Sequence, residues 1–452
     1  MSAVASYHYV GPSVLNDDGL ALRTSGGRAA ALGPVSHPRF FRGFMVAPDQ
    51  VAAGLLAVAE VARSRYFQRV DRIAALDPVV TGSRDRLRFE SFSGCCGVYA
   101  RLDVLPAGLD GETLEHGTTN VDVNTPLRDA LAKVTRRDPL RLNVGAEDLV
   151  VSTVGNTVVE KKVPLPTRWL RGFAEIQALV SGFDARLEVN AAQAATFLRG
   201  LPTGRDRSVL WVVAAGQGLR LTSRPVPGAV CLPGPGRLVA LRSLLRFATT
   251  LRVYGPPATA ASPAVPSTWE LESPTQRLTL TLSPQPSRGF PGEGATLDAL
   301  VQDGVIEDAD TVGALLAFDP SIDVADLAAA AGLSSIRVRA ALTQLATAGW
   351  VGYDVTEAAF FHRVLPYDAA AAARLNPRLA AARHLVSGRA VTVADDHAWV
   401  HSADADYQVG LEAGAPVTCT CQWWGRHRGG RGPCKHVLAV AITVGSSSEV
   451  DA

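Results

Sequence analysis

Apolar positions recur at helical spacing in one early segment, residues 50–67, where Leu55, Leu56, Val58, Val61 and Tyr66 share a broad face behind the helix opening Pro48-Asp49. Short Gly- and Ser-rich pieces such as Thr24-Ser-Gly-Gly27 surround it, and residues 1–100 form an unassigned N-terminal region. From residue 120 the pattern changes to short alternating strands set between helices. Helix 125–134, strands 140–144 and 148–153, a strand ending in Val163-Pro-Leu-Pro166, helix 167–180 and strand 185–189 come first. Helix 191–201, strands 209–213 and 218–222, Val230-Cys-Leu-Pro233, helix 237–247 and strand 250–253 follow in the same order. The offset is about 64 to 70 residues throughout, so the spacing predicts a duplicated α+β unit within 101–285. Pro before each second helix suits a helix start, where its missing N–H costs nothing. Trp269-Glu-Leu-Glu and residues 277–282 then alternate as a hairpin trailing the second sheet.

Beyond Gly255, Pro, Ser, Thr and Ala dominate two stretches that cannot bury enough apolar area to fold alone, the second giving a linker at 286–307. Residues 308–368 regain helical periodicity: helices 310–318, 323–331 behind a capping Asp323, and 335–348, then wing-like strands 349–353 and 359–364. Leu327, Ile336, Val338, Leu342 and Leu345 are the expected core. The run DVADLAAAAGLSSIRVRAALTQLATAGWVGYD resembles the winged helix-turn-helix superfamily. That resemblance implies either a third helix whose Ser334, Ser335, Arg337, Arg339 and Gln344 meet a DNA groove, or a protein-docking module. The strand-Pro-helix-strand order of the middle region resembles the repeating unit of DNA sliding clamps, in pattern and without a diagnostic motif. Each unit is shorter than a clamp domain, and an unrelated repeated α+β fold would read the same way. Arg128, Lys133, Arg136, Arg137, Lys161, Lys162, Arg168 and Arg171 make the first unit the more basic one, as a binding face or as solvated surface.

A chain of 452 residues that is 47% hydrophobic and 19% charged has room for several globular domains. Its formal net charge of +1 confines any nucleic-acid contact to local patches. No apolar run is long enough to span a bilayer and no basic-then-apolar leader opens the chain, so a cytoplasmic protein without membrane contact is expected. Nucleophile elbows, His-Glu-x-x-His and phosphate loops are absent; Gly289 to Gly294 lacks a Gly-Lys-Ser/Thr ending. No enzyme and no small-molecule substrate are expected. Thr118-Thr-Asn-Val-Asp122-Val-Asn124 reads as turn and cap residues, Cys95-Cys96 as buried cysteines on a strand, and the phenylalanines of His37 to Phe44 as core.

The chemistry concentrates near the C-terminus. Cys419-Thr-Cys421, twelve residues, then Cys434-Lys-His436 place three of the chain's six cysteines within 16 residues. Three thiolates and an imidazole make a closed tetrahedral structural zinc site, so Zn2+ is the expected cofactor. Cys419 and Cys421 belong on or just after a strand, and Cys434 and His436 at the start of a helix. The C-x-C…C-x-H spacing, with an Ala/Arg-rich helix from 370, Tyr407-Gln-Val-Gly, TCTC and GPCKHVLAV, is similar to the SWIM zinc finger. This resemblance implies a DNA-binding or protein-binding module. Between the ligand pairs lie two tryptophans, three arginines, a histidine and four glycines, with no acid. Either Arg426, Arg428, Arg431 and Lys435 form a nucleic-acid face with the rings, or the tryptophans cover the metal while the arginines solvate the loop.

The expected fold class is therefore α+β multidomain: a tandem α+β repeat, a winged helix at 308–368 and a C-terminal SWIM-type zinc module at 369–452. The expected function is zinc-dependent, non-enzymatic nucleic-acid binding, DNA favoured, through Ser335, Arg337 and Arg339 and the basic loop. The alternative is a protein-interaction adaptor that never touches nucleic acid.

Overall fold

The computed structural model describes residues 39–66, 78–163, 165, 167–202, 207–285, 290, 304–365, 377–403, 405–429 and 432–448, and four short strands before residue 36. Those strands, β1 (Val14–Asn16), β2 (Gly19–Thr24), β3 (Gly27–Ala30) and β4 (Gly33–Val35), form one antiparallel sheet in chain order. The body starts at β5 (Phe41–Met45) and α1 (Pro48–Arg63) and continues through β6 (Val79–Ser83), β7 (Leu87–Phe92), β8 (Val98–Val104), β9 (Leu109–Leu114) and β10 (His116–Asn120). Next come α2 (Thr125–Ala132), β11 (Arg141–Val144), β12 (Asp148–Thr153), β13 (Asn156–Lys161) and α3 (Thr167–Val180). The second half holds β14 (Asp184–Asn190), α4 (Ala191–Gly200), β15 (Val209–Ala215), β16 (Gly218–Thr222), β17 (Val230–Pro233), a 3-10 helix (Pro235–Leu244), β18 (Thr250–Gly255), β19 (Ser267–Glu272) and β20 (Gln276–Leu282). Local sequence explains the helix starts. Asn124 accepts the Leu127 amide at 3.2 Å to open α2, and Asn190 and Gln193 form a reciprocal capping box at α4.

Strands from both halves merge in one eight-stranded sheet, ordered β10-β6-β7-β8-β20-β19-β18-β14. The seam is β8 against β20, antiparallel from Val98↔Leu282 to Val104↔Gln276. Period-2 alternation gives the sheet two chemically distinct faces. Leu87, Phe89, Ala100, Leu102, Trp269, Leu271, Leu278 and Leu280 join the apolar residues of α1, α2, α4 and the 3-10 helix in the largest core. The residues between them, Arg88, Glu90, Arg101, Asp103, Glu270, Arg277 and Thr279, point the other way and are also buried.

What covers that polar face is the segment α5 (Val305–Leu315), α6 (Val324–Ala331), α7 (Ser335–Thr347), β21 (Val351–Asp354) and β22 (Ala359–His362), joined by α3. This is the order of three helices and a hairpin that the winged-helix resemblance implies. Asp323 caps α6 by accepting the Ala325 and Asp326 amides, and Ser334 caps α7. The hairpin turn brings Asp354 onto the sheet, where Arg101 Nη2 lies 3.0 Å from Oδ1, and Arg277 and Arg88 lie 3.0 and 3.3 Å from Oδ2. Asp103 braces the same arginines, at 3.1 Å from Arg88 Nε and 2.8 Å from Arg101 Nε. Arg363, just after β22, pairs with Glu90, and the Arg88 guanidinium sits 3.7 Å from the Phe361 ring centroid.

The repeat differs in register from the 64-to-70-residue period. Both halves run strand, helix, antiparallel strands, helix, three antiparallel strands, which pairs α1 with α4 and α2 with the 3-10 helix. Those helix starts lie 143 residues apart (48 to 191) and 110 apart (125 to 235), because the first half carries five strands where the second carries three. Helix α3 is the partner of no repeat helix; it packs against α7 and β21 on the polar side of the sheet. Apolar spacing marks a buried stripe but not which face of which sheet receives it. The expected division after residue 100 falls inside β8, a central strand. The strand placed up to Pro166 is β13, which follows the left-handed turn residue Gly155. The segment expected as helix 237–247 is the 3-10 helix, in which buried Arg237 donates to the Pro233, Gly97 and Ser283 carbonyls. Leu327, Val338, Leu342 and Leu345 are buried as expected, whereas Ile336 is 72% exposed in the first turn of α7. Cys95 and Cys96 sit in the turn between β7 and β8, not on a strand, with Cys96 at positive φ. Phe40 and Phe41 are core, and Phe44 is largely outside it.

Burial alone would raise the Asp354 carboxyl, but Arg101, Arg277, Arg88 and Arg86 outweigh it and hold the group well below the usual carboxylate range. A depressed carboxylate stabilises the fold above its unfolded pKa, about 3.9, and that contribution is lost as pH falls below it. Asp354→Ala, which strands the arginines, should cost roughly 3–5 kcal/mol in urea unfolding at pH 7, and Asp354→Asn should flatten the loss of stability below about pH 4. An unchanged urea midpoint for both variants would contradict the lattice's role.

Candidate metal centre

The C-terminal segment consists of α8 (Pro377–Ser387), β23 (Val391–Val393), β24 (His397–Ser402), β25 (Ala405–Glu412), β26 (Ala415–Cys419), α9 (Gln422–His427) and α10 (Lys435–Ser448). The four strands form an antiparallel sheet in chain order, and α10 packs on it beside α8. The final residue of β26 is Cys419. Two residues on, Cys421 is the N-cap of α9, its Sγ accepting the Trp424 amide at 3.4 Å. Cys434 precedes α10 and accepts the Val437 amide at 3.4 Å, which leaves His436 in the first helical turn. A strand end and two helix starts thus aim backbone N–H groups at sulfur, an arrangement that favours thiolate.

All four donors are buried, and their ligand atoms lie within 4.8 Å of one another. Cys419 Sγ is 3.7 Å from His436 Nδ1. Zn–S and Zn–N bonds of about 2.3 and 2.05 Å around a tetrahedron require a ligand–ligand edge of about 3.6 Å, which the Cys419–His436 pair already meets. Zinc is the cofactor this set holds: three soft sulfurs and one imidazole, with no hard oxygen donor in the cluster. The His436 ring is stacked on Tyr407 from β25, with centroids 4.2 Å apart at 16°, which fixes its plane.

Without metal the thiols do not titrate alike. The hydrogen bond shared with Cys434, reinforced by burial, drives Cys419 far above its ordinary value, and burial raises Cys421. Cys434 is held down to about 4, chiefly by the hydrogen bond from Cys419, against the opposing effect of burial.

The tryptophans act as covers. Trp423 and Trp424 are both half-buried against the zinc cluster. Arg378 of α8 stacks on Trp423 at 4.6 Å and donates to the Pro433 carbonyl at 2.7 Å, tying the loop to the preceding helix. Arg426 and Arg428 are exposed, while Arg431 lies outside the described residues. Lys435 is half-buried, its Nζ donating to Ser402 Oγ at 2.7 Å, and so is directed at β24 instead of at solvent. Ser335, Arg337 and Arg339 are exposed on the first turns of α7, far along the chain from the basic loop, and Arg337 makes a bidentate pair with Asp308 at 2.7 and 2.8 Å. Sequence reasoning left out Tyr407 and Arg378 as supports of the centre. Tyr407 stands in the Tyr-Gln-Val-Gly stretch that marks the module, whereas nothing local singles out Arg378.

Residues 407–445 match the family model of the SWIM zinc finger. No curated protein matches the chain. Among solved structures, the chain is similar to proliferating cellular nuclear antigen from Entamoeba histolytica, at 10% identity over 54% of this chain and 98% of that one, with a TM-score of 0.34. It is likewise similar to the PCNA2–PCNA3 complex from Sulfolobus tokodaii, at 11% identity over 54% and 99%, with a TM-score of 0.36. The likeness is weak, and no function follows from it.

Zinc needs all three sulfurs as thiolates, so uptake at pH 7 should release protons, Cys419 and Cys421 among their sources, and affinity should weaken as pH falls. Titrating zinc into the metal-free protein in buffers of different ionisation enthalpy measures that release. Cys434→Ala should abolish stoichiometric zinc and expose the amides of residues 397–444 to hydrogen exchange while β7, β8 and β20 keep their protection. Retained zinc in this variant would refute the ligand assignment.

Proposed function

We propose that this chain, with a SWIM zinc finger at residues 407–445, is a non-enzymatic nucleic-acid-binding protein whose contacts come from the loop of the zinc module. The observation that carries this reading is the exposure of Arg426 and Arg428 beside a closed thiolate–imidazole centre, in a loop free of acid. Four protein ligands leave no position for an activated water, so the metal would act as a staple and not as a reagent. Arg431 extends the same basic run in sequence, and partly exposed Trp424 offers a ring for base stacking. Two or three cations without an ordered set of base-reading side chains suit sequence-tolerant contact, by charge release from phosphates. Because the whole chain carries only +1, the loop must work as a local patch. The thiolate centre suits a reducing compartment, which makes the cytoplasm our assignment.

The adaptor reading is favoured by one observation, the burial of α7. A winged helix that reads DNA lays its third helix in the major groove. Here Val338, Ala340 to Thr343 and Leu345 to Thr347 are all buried, so exposure is confined mainly to the first turns. Its hairpin is engaged by the ionic lattice of the body's own sheet. As a winged helix, this segment would dock protein, and the nucleic-acid role falls to the zinc module alone.

Fluorescence anisotropy with random duplex and single-stranded oligonucleotides should give a log K that falls linearly with log salt. Arg426→Ala/Arg428→Ala should reduce that slope by about 1.4 to 1.8, two phosphate contacts at roughly 0.7–0.9 each. Arg337→Ala/Arg339→Ala should leave it unchanged. Absence of binding at low salt would decide for the adaptor.

A further inference from the structure

Charge is segregated within the zinc module. Residues 391–420 carry Asp395, Asp396, Asp404, Asp406 and Glu412 and no Lys or Arg, whereas residues 421–435 carry Arg426, Arg428, Arg431 and Lys435 and no acid. The sheet β23-β24-β25-β26 uses one face to hold the metal centre, with Ala398, Val400, Val409 and Cys419 in that core and α10 packed on it. Its other face presents a row of rings, since His397, Trp399 and His401 occupy alternate positions along β24. Trp399 is 44% exposed and stands between Thr392 of β23 and Gln408 of β25. At one end of the row His397 Nδ1 is 2.5 Å from Asp396 Oδ1; at the other His401 Nδ1 is 2.8 Å from Asp406 Oδ1, the cross-strand neighbour. The His397 ring stands perpendicular to the Trp399 ring, with centroids 6.0 Å apart. The nearest cation in sequence, Arg389, stands in the turn before β23.

An indole is the best aromatic acceptor for a cation, and its attraction grows when carboxylates flank it. The same carboxylates oppose a phosphate backbone, so the ligand of the basic loop is the wrong one for this face. We propose that the ring-bearing face of this sheet docks a Lys- or Arg-rich segment of a partner protein, a cationic side chain lying over Trp399 and neighbouring cations meeting Asp396 and Asp406. The module then has two recognition surfaces of opposite charge, and the second does not depend on the first binding nucleic acid.

The test uses the zinc-loaded full-length protein and a fluorescein-labelled peptide of alternating Arg and Ser, with alternating Glu and Ser as the control. The Arg peptide should bind saturably at low salt and the Glu peptide should not. Trp399→Ala and Trp399→Leu should each weaken binding roughly threefold to thirtyfold, the leucine variant showing that ring charge and not apolar contact is read. Asp396→Asn/Asp406→Asn should weaken it and flatten its salt dependence, while Arg426→Ala/Arg428→Ala leaves it unchanged. Zinc content equal to wild type qualifies each variant as folded. Equal affinity of the wild type and both Trp399 variants, absence of saturable peptide binding, or displacement of the peptide by an oligonucleotide at wild-type strength would overturn the proposal.

Discussion

Asp354 is the point on which the architecture turns. Its carboxylate stands at the tip of a hairpin and receives arginines from three neighbouring strands, β7, β8 and β20. Charges removed from water are costly unless paired with good geometry, and here each arginine has more than one partner. The lattice lets a sheet whose outer face is polar be covered on both sides. One side is an ordinary apolar core beneath four helices; the other combines a second apolar cluster, around Phe92, Tyr99, Trp169 and Phe173, with ion pairs beneath α3 and the helix–hairpin segment. Such pairing is specific about partner and position, as an apolar cover would not be, and it fixes where the hairpin can sit.

That fixation decides what the segment 304–365 offers to a ligand. An isolated helix–turn–helix with this sequence would have its third helix free to enter a groove. In the folded chain the helix is largely buried beyond its first turns, where exposed Arg337 pairs with Asp308. The same physical limit shapes the zinc module in the opposite direction. Its cores are small, a handful of buried residues around the cysteines and a second group shared by α8 and α10. Ligation, not apolar burial, must provide much of the folding free energy there. A metal-held scaffold leaves its loop and its outer sheet face free, and the charges on those two surfaces have opposite sign.

Much was legible from the chain itself. The ligands Cys419, Cys421, Cys434 and His436 are identified by residue type and spacing, and their placement on a strand end and a helix start follows from the strand and helix periods on either side. Helices α1, α3, α4, α6 and α7 and the hairpin β19–β20 follow from apolar spacing and, for α6, from the cap at Asp323. Long-range partners were not legible. Nothing local marks Arg88, Glu90, Arg101 and Asp103 as buried, because a sequence does not say that a segment some 250 residues later will cover them. For the same reason α3 was matched with a repeat helix.

The sequence by itself determined the metal chemistry, the local elements and the acid-free character of the basic loop, since each depends on neighbours within a few turns of chain. Only the tertiary structure decided that the third helix of the helix–hairpin segment is buried beyond its first turns, that Lys435 turns to Ser402, and that Trp399 is exposed on a strand whose flanking histidines pair with Asp396 and Asp406. Those outcomes depend on which faces meet across distant segments, and pairing energy of that kind is invisible until the chain has closed on itself.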